Sequence, residues 1–189
     1  MIVRGTFSAH SRRRRSTERR GFTLIEAALT TAITGIAFVA IMELFSACTQ
    51  QNRIGANMTT AMLLAGHVQE TMAGLQFNDP VLGRGNFGPE TGQTLASYDD
   101  IDDFDAQNLN PPIDALRRPV PELSQFTQNV IVMPVYPTQL SSNNDPGAPA
   151  IPKTAYTGAA RVTVRILHRV SVKDAPVEIY RMSWIRVDQ

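Results

Sequence analysis

The 189-residue chain has one cysteine, Cys48, so no intramolecular disulfide framework can hold it together. No proline occurs before Pro80, and eleven of the twelve fall between Pro80 and Pro152. The first 79 residues therefore carry no obligatory helix breaker, whereas the middle of the chain cannot hold long helices. Histidine is scarce: His10, His67 and His168 stand far apart, without metal-ligand spacing. A G-x-S-x-G nucleophile elbow and a Walker phosphate loop are both missing, which leaves hydrolase and nucleotide chemistry without residues to perform it. Gly83-Arg84-Gly85-Asn86-Phe87-Gly88 spells the dinucleotide-binding G-x-G-x-x-G, but Pro89 follows at once and no apolar strand precedes it. The letters match and the context rejects them.

Charge is absent from one stretch and crowded into its flank. Ala27 to Met42 contains no charged residue, and Phe22 to Leu44 is long enough to cross a hydrocarbon core of ~30 Å as a helix. Before it, seven arginines (Arg4, Arg12 to Arg15, Arg19, Arg20) against Glu18 leave +6 on residues 1–21, so the overall +1 leaves −5 on the rest. Arginine next to an apolar span holds that flank in the cytoplasm and attracts an anionic leaflet. A nucleic-acid role for the run is the weaker reading, and no nucleic-acid partner is expected. One acid, Glu26, sits a turn inside the apolar segment. An acid at a helix centre costs roughly 2.5 to 3.5 kcal/mol on insertion scales, and less near an end. It needs a cation, and the helix itself offers none within reach.

Gly21-Phe22-Thr23-Leu24-Ile25-Glu26, preceded by Arg19-Arg20, resembles the N-terminal signal of type IV pilins and type II secretion pseudopilins. The resemblance implies a prepilin peptidase that cuts after Gly21 and methylates the new terminal Phe22. It also implies that Glu26 pairs with the free amine of a neighbouring pilin-like subunit during assembly. Further implied partners are the lipid bilayer and an inner-membrane assembly platform. The site would be the inner membrane, single-pass, with a cytoplasmic N-terminus and the C-terminal domain periplasmic or in an extracellular filament. A structural subunit, not an enzyme, is expected. Helical periodicity continues past the apolar run: Ile54, Met58, Ala61, Ala65, Val68, Met72 and Leu75 form one stripe, closed by Gly74 and Asn78-Asp79-Pro80. A helix from Phe22 to Leu75 would be ~80 Å long. Ala61 to Met72 is similar to the second half-helix of minor subunits, the pseudopilin I and pilus V types. Met58, Met62 and Met72 read as core filler. Gly35 either lets a neighbouring helix approach or is simply tolerated.

A competing signal lies at Phe45-Ser46-Ala47-Cys48, which resembles a lipoprotein processing box ending in its lipidated cysteine. Phe45 and the nearby Glu43 depart from that pattern. Processing there would make the protein a lipid-anchored envelope binding domain.

The layout expected is α+β and pilin-like: a leader at 1–21, a membrane and assembly half-helix at 22–48, an amphipathic half-helix at 49–75, and a loop-rich head at 76–189. Strand signals lie at Asn129 to Tyr136, with Pro134 marking an edge or bulge, at Arg161 to Val170, and at Val177 to Val187. The last two are joined by Lys173-Asp174-Ala175-Pro176 as a hairpin. Val162, Val164 and Ile166 share one strand face, which should cover the helix stripe. Tyr180 and Trp184 read as packing residues. Asp99 to Asp105 is the densest acidic run; Asp100, Asp102, Asp103 and Asp105 could offer oxygen ligands to calcium. The run lacks the EF-hand glycine and distal glutamate, so a solvated loop or a helix N-terminus is the preferred reading, and no cofactor is required.

Overall fold

The computed structural model describes residues 21–79, 87–138, 151–171 and 173–188. Most of the leader with its arginines and His10, the stop at Pro80, and Gly83 to Asn86 of the glycine motif lie outside the described residues. The chain divides into two compact units, one ending at Gln50 and the other beginning at Gln51. The architecture is α+β: one long N-terminal helix, α1 (Leu24–Ala73), and a four-stranded antiparallel sheet.

Helix α1 starts at a threonine cap. Thr23 Oγ1 accepts the Glu26 N–H at 3.3 Å, and Glu26 stands three residues on, where an acid complements the positive end of the helix dipole. The spacing Thr-x-x-Glu is the sequence signal for this start, and it places the first helical residue at Leu24 instead of Phe22. Every residue from Gly21 to Gln50 is exposed, and the helix is long and apolar enough to cross a membrane. Three of its threonine hydroxyls are satisfied internally. Thr30 Oγ1 donates to the Glu26 carbonyl at 2.5 Å, Thr31 to Ala27 at 2.9 Å, and Thr49 to Phe45 at 2.8 Å. Hydroxyls bonded one turn back ask nothing of their surroundings. A Cβ added at Gly35 would meet nothing within 4 Å, so no part of this chain approaches closely there.

In the second unit α1 buries Ala61, Leu64, Ala65, Val68 and Met72. The buried stripe is shorter than the periodicity suggests. Ile54, Met58 and Met62 stay exposed, and Leu64, outside the expected stripe, is buried in the core. Of the three methionines read as core filler only Met72 is buried. Helix periodicity marks an apolar face but not how many of its turns find a partner. The helix ends at Ala73, one residue before Gly74.

The sheet runs β1 (Asn108–Leu109), β2 (Phe126–Pro134), β3 (Ala159–His168) and β4 (Val177–Val187), in that spatial order. Strand β2 buries alternate residues from Phe126 to Pro134, which puts Gln128 on the inner face beside Val130 and Val132. Only two of its residues pair with β1, so Pro134, last in the strand, interrupts no ladder on that side. Strands β3 and β4 form the hairpin expected from Lys173 to Pro176, with the Asp174 N–H donating to the Ser171 carbonyl at 3.0 Å. Val162, Val164 and Ile166 point inward opposite Trp184, Met182 and Tyr180. These residues join the helix stripe, Ile101, Phe104 and Ile113 in one hydrophobic core. On the outer face Thr163 and Ser183 share a hydrogen bond of 2.9 Å, and Glu178 accepts from both Arg165 and Arg181.

Gln128 bolts three elements together. Its Oε1 accepts the Ile113 N–H at 2.7 Å, and its Nε2 donates to the carbonyls of Leu64 at 2.9 Å and Ile113 at 3.0 Å. A fully buried amide survives there because each of its atoms is paired.

Candidate functional site

Two regions carry the residues singled out from sequence. The first is the start of α1. Gly21, Phe22 and Thr23 precede the helix, so the Gly21–Phe22 bond lies in exposed, non-helical backbone. A protease must draw its substrate into extended form, and a bond outside the helix meets that need without unwinding. The Glu26 side chain is exposed one turn further on and has no ion-pair partner among the described residues. Cys48, the rival processing position, is exposed but lies inside α1 with helix on both sides.

The second region is the acidic run, and it is not a solvated loop. Asp100, Asp102, Asp103 and Asp105 are all buried. The run folds into a 3₁₀ turn, Asp102–Phe104, whose carboxylates are taken up by backbone. Asp100 Oδ1 accepts the N–H groups of Asp102 and Asp103, both at 3.1 Å. Asp102 Oδ2 accepts the Gly88 N–H at 2.8 Å, and Asp103 Oδ2 accepts the Asp99 N–H at 3.0 Å. Asp105 Oδ1 accepts the Val132 N–H at 2.9 Å, and its Oδ2 pairs with Lys153. The polar letters that suggest solvent are here the internal scaffold of a loop, because short carboxylates can satisfy neighbouring amides where water cannot reach. The loop is pinned to the end of the helix by a bridge between Gln76 and Asp100 and stiffened by Tyr98 edge-on to Phe104 at 5.1 Å.

Burial of so many carboxyls raises their affinity for protons. Asp100 is pushed up to about 8, first by burial and then by the charge of Asp102. Burial also raises Asp102 and Asp103, the latter further through the charges of Asp99 and Asp79. Burial and the Asp103 charge raise Tyr98 as well.

The four aspartates named as calcium candidates do not converge as one set. Asp105 is committed to Lys153 and β2, Asp100 accepts the N–H groups of Asp102 and Asp103, and Asp102 accepts that of Gly88. Only Asp103 enters a group of acids whose oxygens face one another, and its companions there are Asp99 and Glu90. Glu90 lies outside the run, and no spacing rule finds it; the turn Glu90–Gln93 brings it in, closed by Gln93 Oε1 on the Glu90 N–H at 3.0 Å. The histidines remain apart. His67 lies on α1, and His168 packs against Phe126 at 4.8 Å, its imidazole lowered by burial and by Arg53. A pocket bordered by Phe77, Phe87, Ile101, Val132 and Tyr156 has Lys153 in its wall, already paired with Asp105 and lying 5.7 Å over the Phe87 ring.

No family model, no curated protein and no solved structure matches the chain.

Proposed function

We propose that the protein is a non-enzymatic, membrane-anchored structural subunit, a pilin or pseudopilin of minor type, of a type IV pilus or a type II secretion pseudopilus. The observation that carries this reading is the segment Gly21 to Glu26. It combines a glycine in non-helical backbone, a capping threonine and an exposed acid at the head of an apolar helix. The α+β layout and an apolar half-helix with nothing buried up to Gln50 support it.

In this reading a prepilin peptidase removes residues 1–21 and the arginine patch leaves with them. The new amine of Phe22 then stands at the positive end of its own helix, an unfavourable place for a cation. Glu26 of an adjoining copy or related subunit supplies the countercharge, which removes both the unpaired acid and the unpaired amine from the hydrocarbon. Such a buried pair contributes register more than stability, because desolvation offsets much of the Coulomb gain. Cohesion comes from packing of the apolar half-helices. The anchor holds residues 1–21 on the cytoplasmic side of the inner membrane and the second unit on the other.

The test is the mass of the mature chain in cells with an active peptidase. A start at Phe22 is expected, with Gly21→Val leaving the full precursor in the membrane. Glu26→Val should insert normally yet co-purify poorly with other pilin-like subunits. A mature chain starting at Cys48 would overturn the reading in favour of a lipid-anchored protein.

A further inference from the structure

Strand β4 closes one side of the sheet and pairs with β3 alone; no strand lies on its far edge among the described residues. The opposite side of the sheet is blunted by brevity, since β1 holds two residues. Strand β4 has eleven, without proline or lysine. From Tyr180 to Val187 its register with β3 is unbroken, the one shift falling earlier, at Ile166/Leu167. Short length, proline, lysine and bulges are the devices that keep an edge from recruiting another chain, and this stretch uses none of them. Burial points the same way. Strands β2 and β3 bury alternate residues, whereas β4 buries none. Its inward side chains Tyr180, Met182 and Trp184 pack against the core yet stay only half-buried. An apolar row left half covered at the margin of a sheet is what cross-strand neighbours on a further strand would cover.

Charge selects the partner. Residues 51–189 hold eleven basic and fourteen acidic side chains, a net −3. The outer face beside the β4 edge has the opposite sign. Arg165 and Arg181 stand directly across from each other, a pairing of like charges that is unfavourable by itself, and Arg161 lies further along the same face opposite Ile185. Glu178 serves both members of the pair, accepting from Arg165 Nε at 2.6 Å and from Arg181 Nε at 2.8 Å and Nη2 at 3.0 Å. One carboxylate between two guanidiniums leaves the terminal nitrogens of Arg165 without a partner among the described residues. Arg186, the other cation of β4, is turned inward onto the carbonyls of Ala73 and Leu75. A nucleic acid fits this face poorly. Tyr180 and Trp184 are on the core side, so the strands offer no outward ring for a base to stack on, and the net negative charge repels a polyanion.

We infer that β4 is an interaction edge that takes an extended acidic segment of a partner protein as a fifth strand. The backbone of that segment bonds the open edge from Tyr180 to Val187, and its side chains alternate as those of β4 do. Apolar residues then lie beside Tyr180, Met182 and Trp184, while carboxylates on the outer face meet Arg181 and the unused end of Arg165. The segment recognised is an alternating apolar and acidic strand. The edge belongs to the second unit alone and serves this role whichever way the N-terminus is processed.

The probe is a short capped peptide alternating valine with glutamate, added to the full chain in detergent micelles. Binding is followed by fluorescence of Trp184, the only tryptophan and a residue of β4, and by hydrogen exchange. Saturable binding that weakens with salt is expected, with new protection of β4 amides. The same peptide with lysine for glutamate should not bind, nor should a glutamate peptide N-methylated at every amide, which cannot extend the ladder. Arg181→Gln should weaken binding about fivefold, the upper end for an exposed ion pair. Arg165→Gln carries the same expectation from β3, so the test stands if one variant misfolds. Arg118→Gln, whose guanidinium pairs with Asp114, should bind as the parent does. Unchanged β4 exchange at saturating peptide would overturn the inference, as would equal binding of the lysine peptide or unchanged binding by both arginine variants. Tighter binding of a single-stranded oligonucleotide would overturn it in favour of nucleic acid, and β4 protection that rises with protein concentration alone would overturn it in favour of a second copy.

Discussion

Replacing Gln128 by methionine tests whether one buried amide holds the second unit together. Methionine keeps the length and the unbranched shape, so packing changes little and the loss is electrostatic. Three hydrogen bonds disappear, but they are unequal. The Leu64 carbonyl keeps its intrahelical partner and loses only an additional donor. The Ile113 N–H and C=O both bond to Gln128, at 2.7 and 3.0 Å, and Ile113 is 2% exposed. Each buried group left unpaired costs about 1–3 kcal/mol, so the substitution should cost roughly 2–6 kcal/mol. That is a large part of the ~5–15 kcal/mol by which a domain is stable. Urea denaturation of the full chain in micelles, followed by fluorescence, reads it directly. The only tryptophan, Trp184, packs partly buried against the core and reports its loss. A Gln128→Met variant within about 0.5 kcal/mol of the parent, the ordinary scatter of surface substitutions, would refute the reasoning.

Val164→Asp puts a carboxylate among Val130, Val162 and the helix stripe, at a position with no exposure, and should cost several kcal/mol, read as loss of cooperative unfolding. The acidic loop sets an unusual pH dependence. Asp100 binds its proton more tightly folded than unfolded, so its contribution is full below the ordinary carboxylate range and fades as pH rises toward about 8; Asp102 and Asp103 act in the same direction. Glu178 acts oppositely. Hydrogen bonds from Arg181 and then Arg165 hold it down to about 2, so its contribution is present above the usual glutamate range and is lost as pH falls toward 2. Melting temperature at pH 5.5 should therefore exceed that at pH 8.5, with Asp100→Asn flattening the difference; an equal slope in the variant would remove Asp100 as its origin.

Local signals were legible in the sequence, and long-range ones were not. Proline-free periodicity announced α1 to within two residues at each end. Alternation announced the inner face of β3 and the bounds of β4, because both patterns repeat within a few residues. Phe126 and Gln128 were missed, since a strand read from the valine-rich letters begins at Asn129. A glutamine on an inner face also breaks the alternation that marks it. The acidic run was misread as solvated. Its burial depends not only on Tyr98 and Phe104 beside and within it but on Val132 and Lys153, which lie tens of residues away and share no spacing with it. Glu90 carried no signal at all: a glutamate in a glycine- and proline-rich turn looks like any other until the fold sets it against Asp99 and Asp103. The segment Gly21 to Glu26 that we propose for assembly could be singled out because its residues are contiguous. Its capping function was written in the same six residues.

The order in which the chain is made bears on how the end of α1 is closed. Arg186 donates to the carbonyls of Ala73 at 3.0 Å and Leu75 at 2.8 Å, satisfying helix-terminal acceptors from 113 and 111 residues away in sequence. A ribosome delivers that guanidinium more than a hundred residues after the helix end it closes. Until then the helix terminus must rely on water, and β3, lacking β4, has an open edge. Loop closure over such a distance is slow to form and easy to interrupt. The second unit cannot therefore mature progressively behind the ribosome. It must wait until β4 has emerged, and a nascent chain halted before β4 would keep its helix while leaving its sheet unfinished.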